Sequence, residues 1–325
     1  MLNTDFRRCA APTTGIGRSV LRSTEKLAIT VLAGGPSSER EVSLISGRAI
    51  ADALSSLGHR VRMLDIGPEN LAALEVPADV IFPALHGQFG EDGELQKHLQ
   101  QRGLRYVGCG PEASALAMNK VATKQACSRV GIPTAEWQQV TPQQRQAALD
   151  AWSGKKVCVK PVDQGSSIDT YIVPDAMPLS EALDRLLGRW GQALIERYIS
   201  GPEVTVGVLG GQALPVIEIV PKAAFYDYQA KYIANDTQYI INPPLPAELL
   251  KRLQEMSVTV FRTVGCRDLS RIDWLIEKQT GQPYLLEVNT MPGFTSHSLL
   301  PKAAAAAGID FVQLCQKLIE MAMAR

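Results

Sequence analysis

From residue 27 onward, apolar and polar positions fall into blocks that read as strand, helix, strand. "LAITVLAGG" is a continuous apolar run ending in glycines, the pattern of a buried strand. "SSEREVSLISGRAIADALSSLG" repeats apolar residues at helical spacing, and "HRVRMLDI" returns to strand. "ADVIFPALHG" and "LRYVGCG" extend the series, with "GELQKHLQQRG" predicted as the helix between them. Such alternation predicts a doubly wound, mainly parallel α/β sheet to about residue 110. Ligands of such sheets sit beyond the carboxyl ends of the strands. The loops "GGPSSER" and "HGQFGEDG" fall there.

A second piece opens with "PEASALAMNKVATKQACSRVGI", predicted as one helix carrying Lys120. "KKVCVKPVDQGSSIDTYIV" reads as strand, glycine-containing loop, strand. In "VCVK", Val157 and Val159 face one way while Cys158 and Lys160 face the other. "ALIERYISGPEVTVGVL" supplies two more strands, with Glu196 closing the first apolar run and Glu203 entering the second. In the third piece, "FYDYQAKYIANDTQY" (225–239) is dense in Tyr, carries Lys231 and lacks a period, as long lid loops do. A helix ("PAELLKRLQEMSVTVFRTVG") leads into "RIDWLIE", the turn cluster "KQTGQP", "YLLEVN" and a terminal helix.

That last pair of runs predicts a hairpin. Folded symmetrically about Thr280, it sets Asp273 opposite Glu287 and Arg271 opposite Asn289. Opposed residues share a face, so all four converge, while Trp274, Ile276, Tyr284, Leu286 and Val288 alternate to a core face. Two carboxylates and an amide oxygen are the hard ligands Mg²⁺ prefers. The alternative is an ordinary solvated face. Opposed like charges weigh against it, because they destabilise a sheet unless something neutralises them.

Bulk composition narrows the function classes. The chain has 325 residues, 46% hydrophobic and 20% charged, with formal net charge zero. Two or three globular domains are expected. A neutral balance gives no reason to expect nucleic acid or an anionic membrane as partner, and no apolar run approaches the ~18 residues that span a bilayer. The six cysteines are scattered without a CxxC pair, which suggests reduced thiols in a cytoplasmic protein. Residues 1–26 carry Arg, Ser, Thr, Gly and Pro without periodicity and read as a disordered extension.

Several polar residues keep two readings. Ser38 and Glu41 fit an S-x-x-E capping box. Glu39 lies beside the helix's positive end, where it is either a plain first-turn acid or a holder of a substrate ammonium. His86 is a turn residue or a ligand-facing group. The Gly-Ser-Ser turn after Lys160 lets backbone N–H groups approach an anion. It is not a Walker A sequence, and no GxGxxG supports a dinucleotide fold.

Taken together, "GGPSSEREVSL", "ALHGQFGEDG", "VKPVDQGSS", "FYDYQAKY", "SRIDWLI" and "LLEVNTMPGFTSHS" resemble, in order and spacing, the D-alanine–D-alanine ligase family of the ATP-grasp superfamily. The resemblance covers residues 27–325. It implies an N-terminal α/β substrate domain (27–118), a central ATP-grasp subdomain (119–205) and a C-terminal one with metal site and lid (206–325). It also implies ATP, two Mg²⁺ (or Mn²⁺), two D-alanine molecules and a homodimer. By the same resemblance Lys120, Lys160, Ser167 and Lys231 meet ATP phosphates, Glu196, Arg197, Tyr198 and Ile199 the adenine, and Glu203 the ribose. Asp273, Glu287 and Asn289 would hold metal. Glu39, oriented through Ser166 and Tyr226, would bind the first substrate's ammonium, Arg271 would stabilise the oxyanion, and Ser298 would take the second substrate's carboxylate. His86, Tyr232 and Leu299 would line the substrate site, Tyr232 being the residue type associated with alanine as acceptor. The family loop often reads G-S-S-V-G. Here Asp169 replaces the last glycine, to stiffen the loop or to place a charge near phosphate. Alternatives are a ligase with D-serine or D-lactate as second substrate, or an ATP-binding regulator without turnover.

Overall fold

The computed structural model describes residues 26–221, 237–295 and 298–325. Its first layer is a parallel sheet of order β2-β1-β3, with β1 (Ala28–Gly34), β2 (Arg60–Ile66) and β3 (Val80–Pro83). α1 (Arg40–Ser56) lies on β1 through Ser43, Ser46, Gly47, Ile50, Ala53 and Leu54. Gly47 makes that approach possible, since a Cβ there would sit 2.7 Å from that of Ala33. α2 (Glu94–Gln101) follows the second loop.

Three local expectations are corrected here. The N-cap of α1 is Glu39, one position past Ser38, so Ser38 and Glu41 do not form the box. Ser37 shapes the turn instead: its hydroxyl accepts from the Glu39 N–H (3.2 Å) and donates to the His86 carbonyl (2.7 Å). "LRYVGCG" contributes one bridge, Tyr106 to Ile81, rather than a strand. Its backbone turns away at Gly108 (φ 98°), whose N–H donates to Asp268 and whose carbonyl accepts from Arg267. The predicted single helix is two, α3 (Pro111–Met118) and α4 (Lys120–Arg129). Asn119 separates them by capping α4, its side chain accepting from the Ala122 N–H.

A four-stranded antiparallel sheet of order β4-β7-β5-β6 follows, made of β4 (Trp137–Val140), β5 (Val157–Lys160), β6 (Tyr171–Val173) and β7 (Ala193–Arg197). α5 (Arg145–Trp152) and α6 (Leu179–Trp190) bury its apolar face. The third sheet, order β10-β9-β8-β11-β12, joins β8 (Glu203–Leu209), β9 (Gln212–Val220), β10 (Gln238–Ile241), β11 (Leu269–Ile276) and β12 (Pro283–Asn289). The division expected at 205/206 falls inside β8. α7 (Ala247–Val264), α3 and α4 cover one face of this sheet. The last helices, α8 (Leu299–Ala306) and α9 (Phe311–Met323), share a core with Ile29, Val31, Ile50 and Phe82 of the first layer. Phe294 bridges the two, its ring 5.6 Å from both Phe82 and Phe311.

Cys109, Cys127, Cys158, Cys266 and Cys315 are free thiols. Among the described residues no helix is long and apolar enough to cross a membrane.

Candidate active site

The hairpin forms in the expected register, Arg271 opposite Asn289 and Asp273 opposite Glu287. Beyond that point a β-bulge shifts the pairing, so Trp274 faces Leu285. The expected core face is therefore corrected on β12. Leu285 and Val288 are buried with Trp274 and Ile276, whereas Tyr284 and Leu286 turn toward a cavity. Bulges re-aim side chains in this way beside functional sites.

Two cavities meet at this hairpin. The smaller, about 310 Å³, lies between the second and third sheets and is lined by Lys160, Ser167, Glu196, Arg197, Tyr198, Ile199, Glu203 and Leu286. The larger, about 600 Å³, opens between the first and third layers and takes in Glu39, His86, Ser166, Arg271, Asn289, Ser298 and Leu299. Lys120 and Glu287 line both. A cation and an anion thus stand at the passage from one chamber to the other. Tyr226, Lys231 and Tyr232 lie outside the described residues.

In the smaller cavity, Glu196 is a buried carboxylate between two buried ammonium groups. Lys124 Nζ lies 2.5 Å from one oxygen and Lys160 pairs with the other. Burial by itself would raise the Glu196 pKa, but the two lysines outweigh it and hold it at about 2. Lys124 was not anticipated from sequence. Its signal was the i, i+4 spacing from Lys120, which sets both on one face of α4. Its burial pushes its own pKa down, against the pull of Glu196. The Lys120 ammonium donates to the Gln164 carbonyl, and burial likewise lowers its pKa, with Glu287 opposing. Arg197 pairs with Glu277 (2.6 Å) and stacks over Tyr284.

Breaking one arm of the Glu196 group is expected to be costly. Lys124→Met should lower stability by about 3 kcal/mol at pH 7, the scale for removing one partner of a buried pair. Because the folded pKa of Glu196 is depressed below its usual 4.5, the stabilisation exists above that value and is lost as pH falls toward about 2. Urea unfolding at pH 7 and pH 3 checks this. The gap between variant and wild type should narrow at the lower pH, and an unchanged gap would contradict the pairing.

In the larger cavity, the Ser166 hydroxyl donates to Glu39 Oε1 at 2.6 Å, linking the first domain to the Gly-Ser-Ser loop. His86 is buried and its Nδ1 donates to the Met291 carbonyl (2.9 Å). Burial lowers its pKa, with Glu39 opposing, so the neutral ring is favoured. Glu91, also missed in the sequence because loop residues carry no periodic cue, accepts from the Gly87 N–H (2.7 Å) and the Met291 N–H (3.2 Å). Burial and then Glu39 push its carboxyl up to about 8. It joins the "HGQFGEDG" loop to "NTMPGF" without adding a charge beside Glu39 at neutral pH. Ser298 Oγ accepts from the Thr295 N–H (3.0 Å).

Asp273 is held by four donors from three residues. It accepts from Arg271 Nη2 (2.7 Å) and Nε (2.9 Å), Thr205 Oγ1 (2.6 Å) and Asn289 Nδ2 (3.2 Å). Among the described residues no three His, Cys, Asp or Glu side chains gather as a metal cluster. The hairpin instead presents two opposed carboxylates and an amide. This oxygen donor set fits a divalent cation that completes its shell with phosphate and water. The fork of Arg271 lies on Asp273 as an ion pair (2.7 Å).

The family models for the D-ala D-ala ligase C-terminus and N-terminus match residues 126–320 and 65–109. The chain belongs to the D-alanine–D-alanine ligase family. The D-alanine–D-alanine ligase of Gloeobacter violaceus is 45% identical over 300 residues, 91% of this chain and 99% of that protein. The ATP complex of the Bacillus anthracis ligase superposes with a TM-score of 0.78 at 31% identity, covering 92% of this chain and 98% of that one. VanG D-Ala:D-Ser ligase from Enterococcus faecalis gives 0.80 at 29% identity, over 92% and 100%. The ligase fold is thus common to enzymes named for different second substrates.

Proposed function

We propose that the chain is an ATP-dependent ligase that joins two D-alanine molecules into D-alanyl-D-alanine for cell-wall precursor synthesis. The observation that carries this is the pair of cavities meeting at Lys120 and Glu287, one suited to a nucleotide and one to small zwitterions. ATP occupies the smaller cavity, its base near Glu196, Arg197, Tyr198 and Ile199, its ribose toward Glu203 and its phosphates toward Lys120, Lys160 and Ser167.

Glu39, held by Ser166, takes the ammonium of the first D-alanine. The carboxylate oxygen of that D-alanine attacks the γ-phosphorus as the bond to ADP breaks, forming an acyl phosphate and releasing ADP. The amine of the second D-alanine, whose carboxylate Ser298 holds, then attacks the acyl carbon. Arg271 sits where the oxyanion develops, and inorganic phosphate leaves as the amide forms. Both steps gather negative charge, which fixed cations stabilise without reorganising. Asp273, Glu287 and Asn289 would hold divalent cations, Mg²⁺ or Mn²⁺, which supply charge neutralisation at the phosphate oxygens. His86 and Leu299 shape the wall, and enclosure keeps water from the acyl phosphate. In this reading the enzyme is a cytoplasmic homodimer.

Activity with single substrates tests the assignment. D-alanine alone should support ADP release and dipeptide formation, whereas L-alanine should not. Faster ADP release when D-serine or D-lactate is added as acceptor would shift the reading to a depsipeptide or mixed-dipeptide ligase. ATP binding without turnover on any of them would leave a regulator.

A further inference from the structure

The Gly-Ser-Ser loop contains three non-glycine residues in the left-handed region within four positions: Ser166 (φ 53°), Ser167 (φ 58°) and Asp169 (φ 49°). Such a backbone persists only where its surroundings over-determine it. Two bonds inside the loop, Ile168 N–H to Gly165 and Thr170 N–H to Ser167, close successive turns but tie it to nothing else. On one side the hold includes Lys120 on the Gln164 carbonyl and Ser166 on Glu39. On the other it is Asp169, whose Oδ2 accepts from the Trp190 indole N–H (2.8 Å) and from Arg189 (3.0 Å) and whose Oδ1 accepts from the Tyr171 hydroxyl (3.2 Å). Arg189 and Trp190 end α6 and line neither cavity.

We infer that Asp169 is a positioning residue for the nucleotide: it fastens the loop carrying Ser166 and Ser167 to the end of α6, so that the loop is already ordered when ATP enters. The inference rests on the smaller cavity being the ATP site. Of its three partners, the Arg189 ion pair matters least, because that guanidinium side chain is 63% exposed and exposed pairs contribute little. The indole N–H and the phenol bonded to an ionised acceptor supply the directional hold. The carboxylate thereby points toward the helix end, which settles the choice between a stiffened loop and a charge beside phosphate in favour of stiffening.

A loop that is competent only part of the time raises the apparent dissociation constant by the inverse of that fraction. Asp169→Asn is the discriminating variant. Asn tolerates the left-handed region as well as Asp does, so backbone preference is retained while the ionised acceptor is lost. KM for ATP should rise about tenfold, with kcat at saturating ATP within about twofold. Trp190→Phe, which keeps a ring but removes the N–H, should raise it about threefold. The double variant should be no worse than Asp169→Asn alone, because both remove one tie. Unchanged KM in both single variants, or strictly additive effects, would overturn the proposal. Should Asp169→Asn fail to fold, Trp190→Phe alone decides by its KM. Wild-type protein that neither binds nor hydrolyses ATP would instead remove the nucleotide assignment itself.

Discussion

Glu287→Gln is expected to lower D-alanine-dependent ADP release by about 10²–10³-fold, the range seen when one preorganised electrostatic group is removed from an active site. Glu287 lines both cavities and stands directly opposite Asp273. Glutamine has nearly the same shape, so the passage keeps its contour and loses only charge. The loss removes one of two carboxylates offered to the cation. It also withdraws the charge that opposes the burial-lowered pKa of Lys120 and a minor addition to the pull of Glu196 on Lys160, leaving the Lys120 ammonium in particular less compensated. Stability should move differently from activity, since opposed carboxylates destabilise an antiparallel pair. The variant should melt within a few degrees of the wild type, because relief of the opposed carboxylates is offset by the less compensated Lys120 ammonium. Near-normal turnover would remove the metal assignment, and a large fall in melting temperature would show that Glu287 is a structural anion instead.

Arg271→Ala should reduce kcat by a similar factor, about 10²–10³, while KM for ATP stays within about threefold. An interaction made only as charge develops lowers kcat and kcat/KM together. The side chain cannot be read apart from Asp273, which it grips through Nε and Nη2. Its removal leaves a buried carboxylate with Thr205 and Asn289 as donors, so some stability is lost as well. Arg271→Lys separates the two effects. It restores a charge near Asp273 but cannot reproduce the planar fork, so stability should recover more than rate. Equal losses in ATP affinity and rate would contradict a role at the oxyanion.

The hairpin was legible because strand geometry is strict: period two and a symmetric turn fixed which residues oppose which, and the pairing of 273 with 287 followed. The bulge beyond it was not. It inserts one residue into β12 without a mark in the apolar pattern, and it turns Tyr284 and Leu286 from the core to the cavity. The β–α alternation gave the first layer, yet Asn119 interrupts a helix that propensity alone would continue. Ser37 rather than Ser38 shapes the turn at α1, a difference set by the tertiary partner His86. Lys124 and Glu91 escaped for a related reason. A buried charge is informative only once its partners are known, and Glu196 for Lys124 and Met291 for Glu91 come from distant parts of the chain. Asp169 was visible as a departure from the family loop. Its meaning required α6, because the indole that holds it lies 21 residues away.

Crystals soaked with ATP and Mn²⁺ and measured at the manganese absorption edge give the most direct test. Anomalous density is expected within coordination distance of the Asp273, Glu287 and Asn289 oxygens, with the triphosphate on its other side beside Lys120 and Lys160. Manganese bound away from these three side chains, or a triphosphate lodged outside the smaller cavity, would contradict the account.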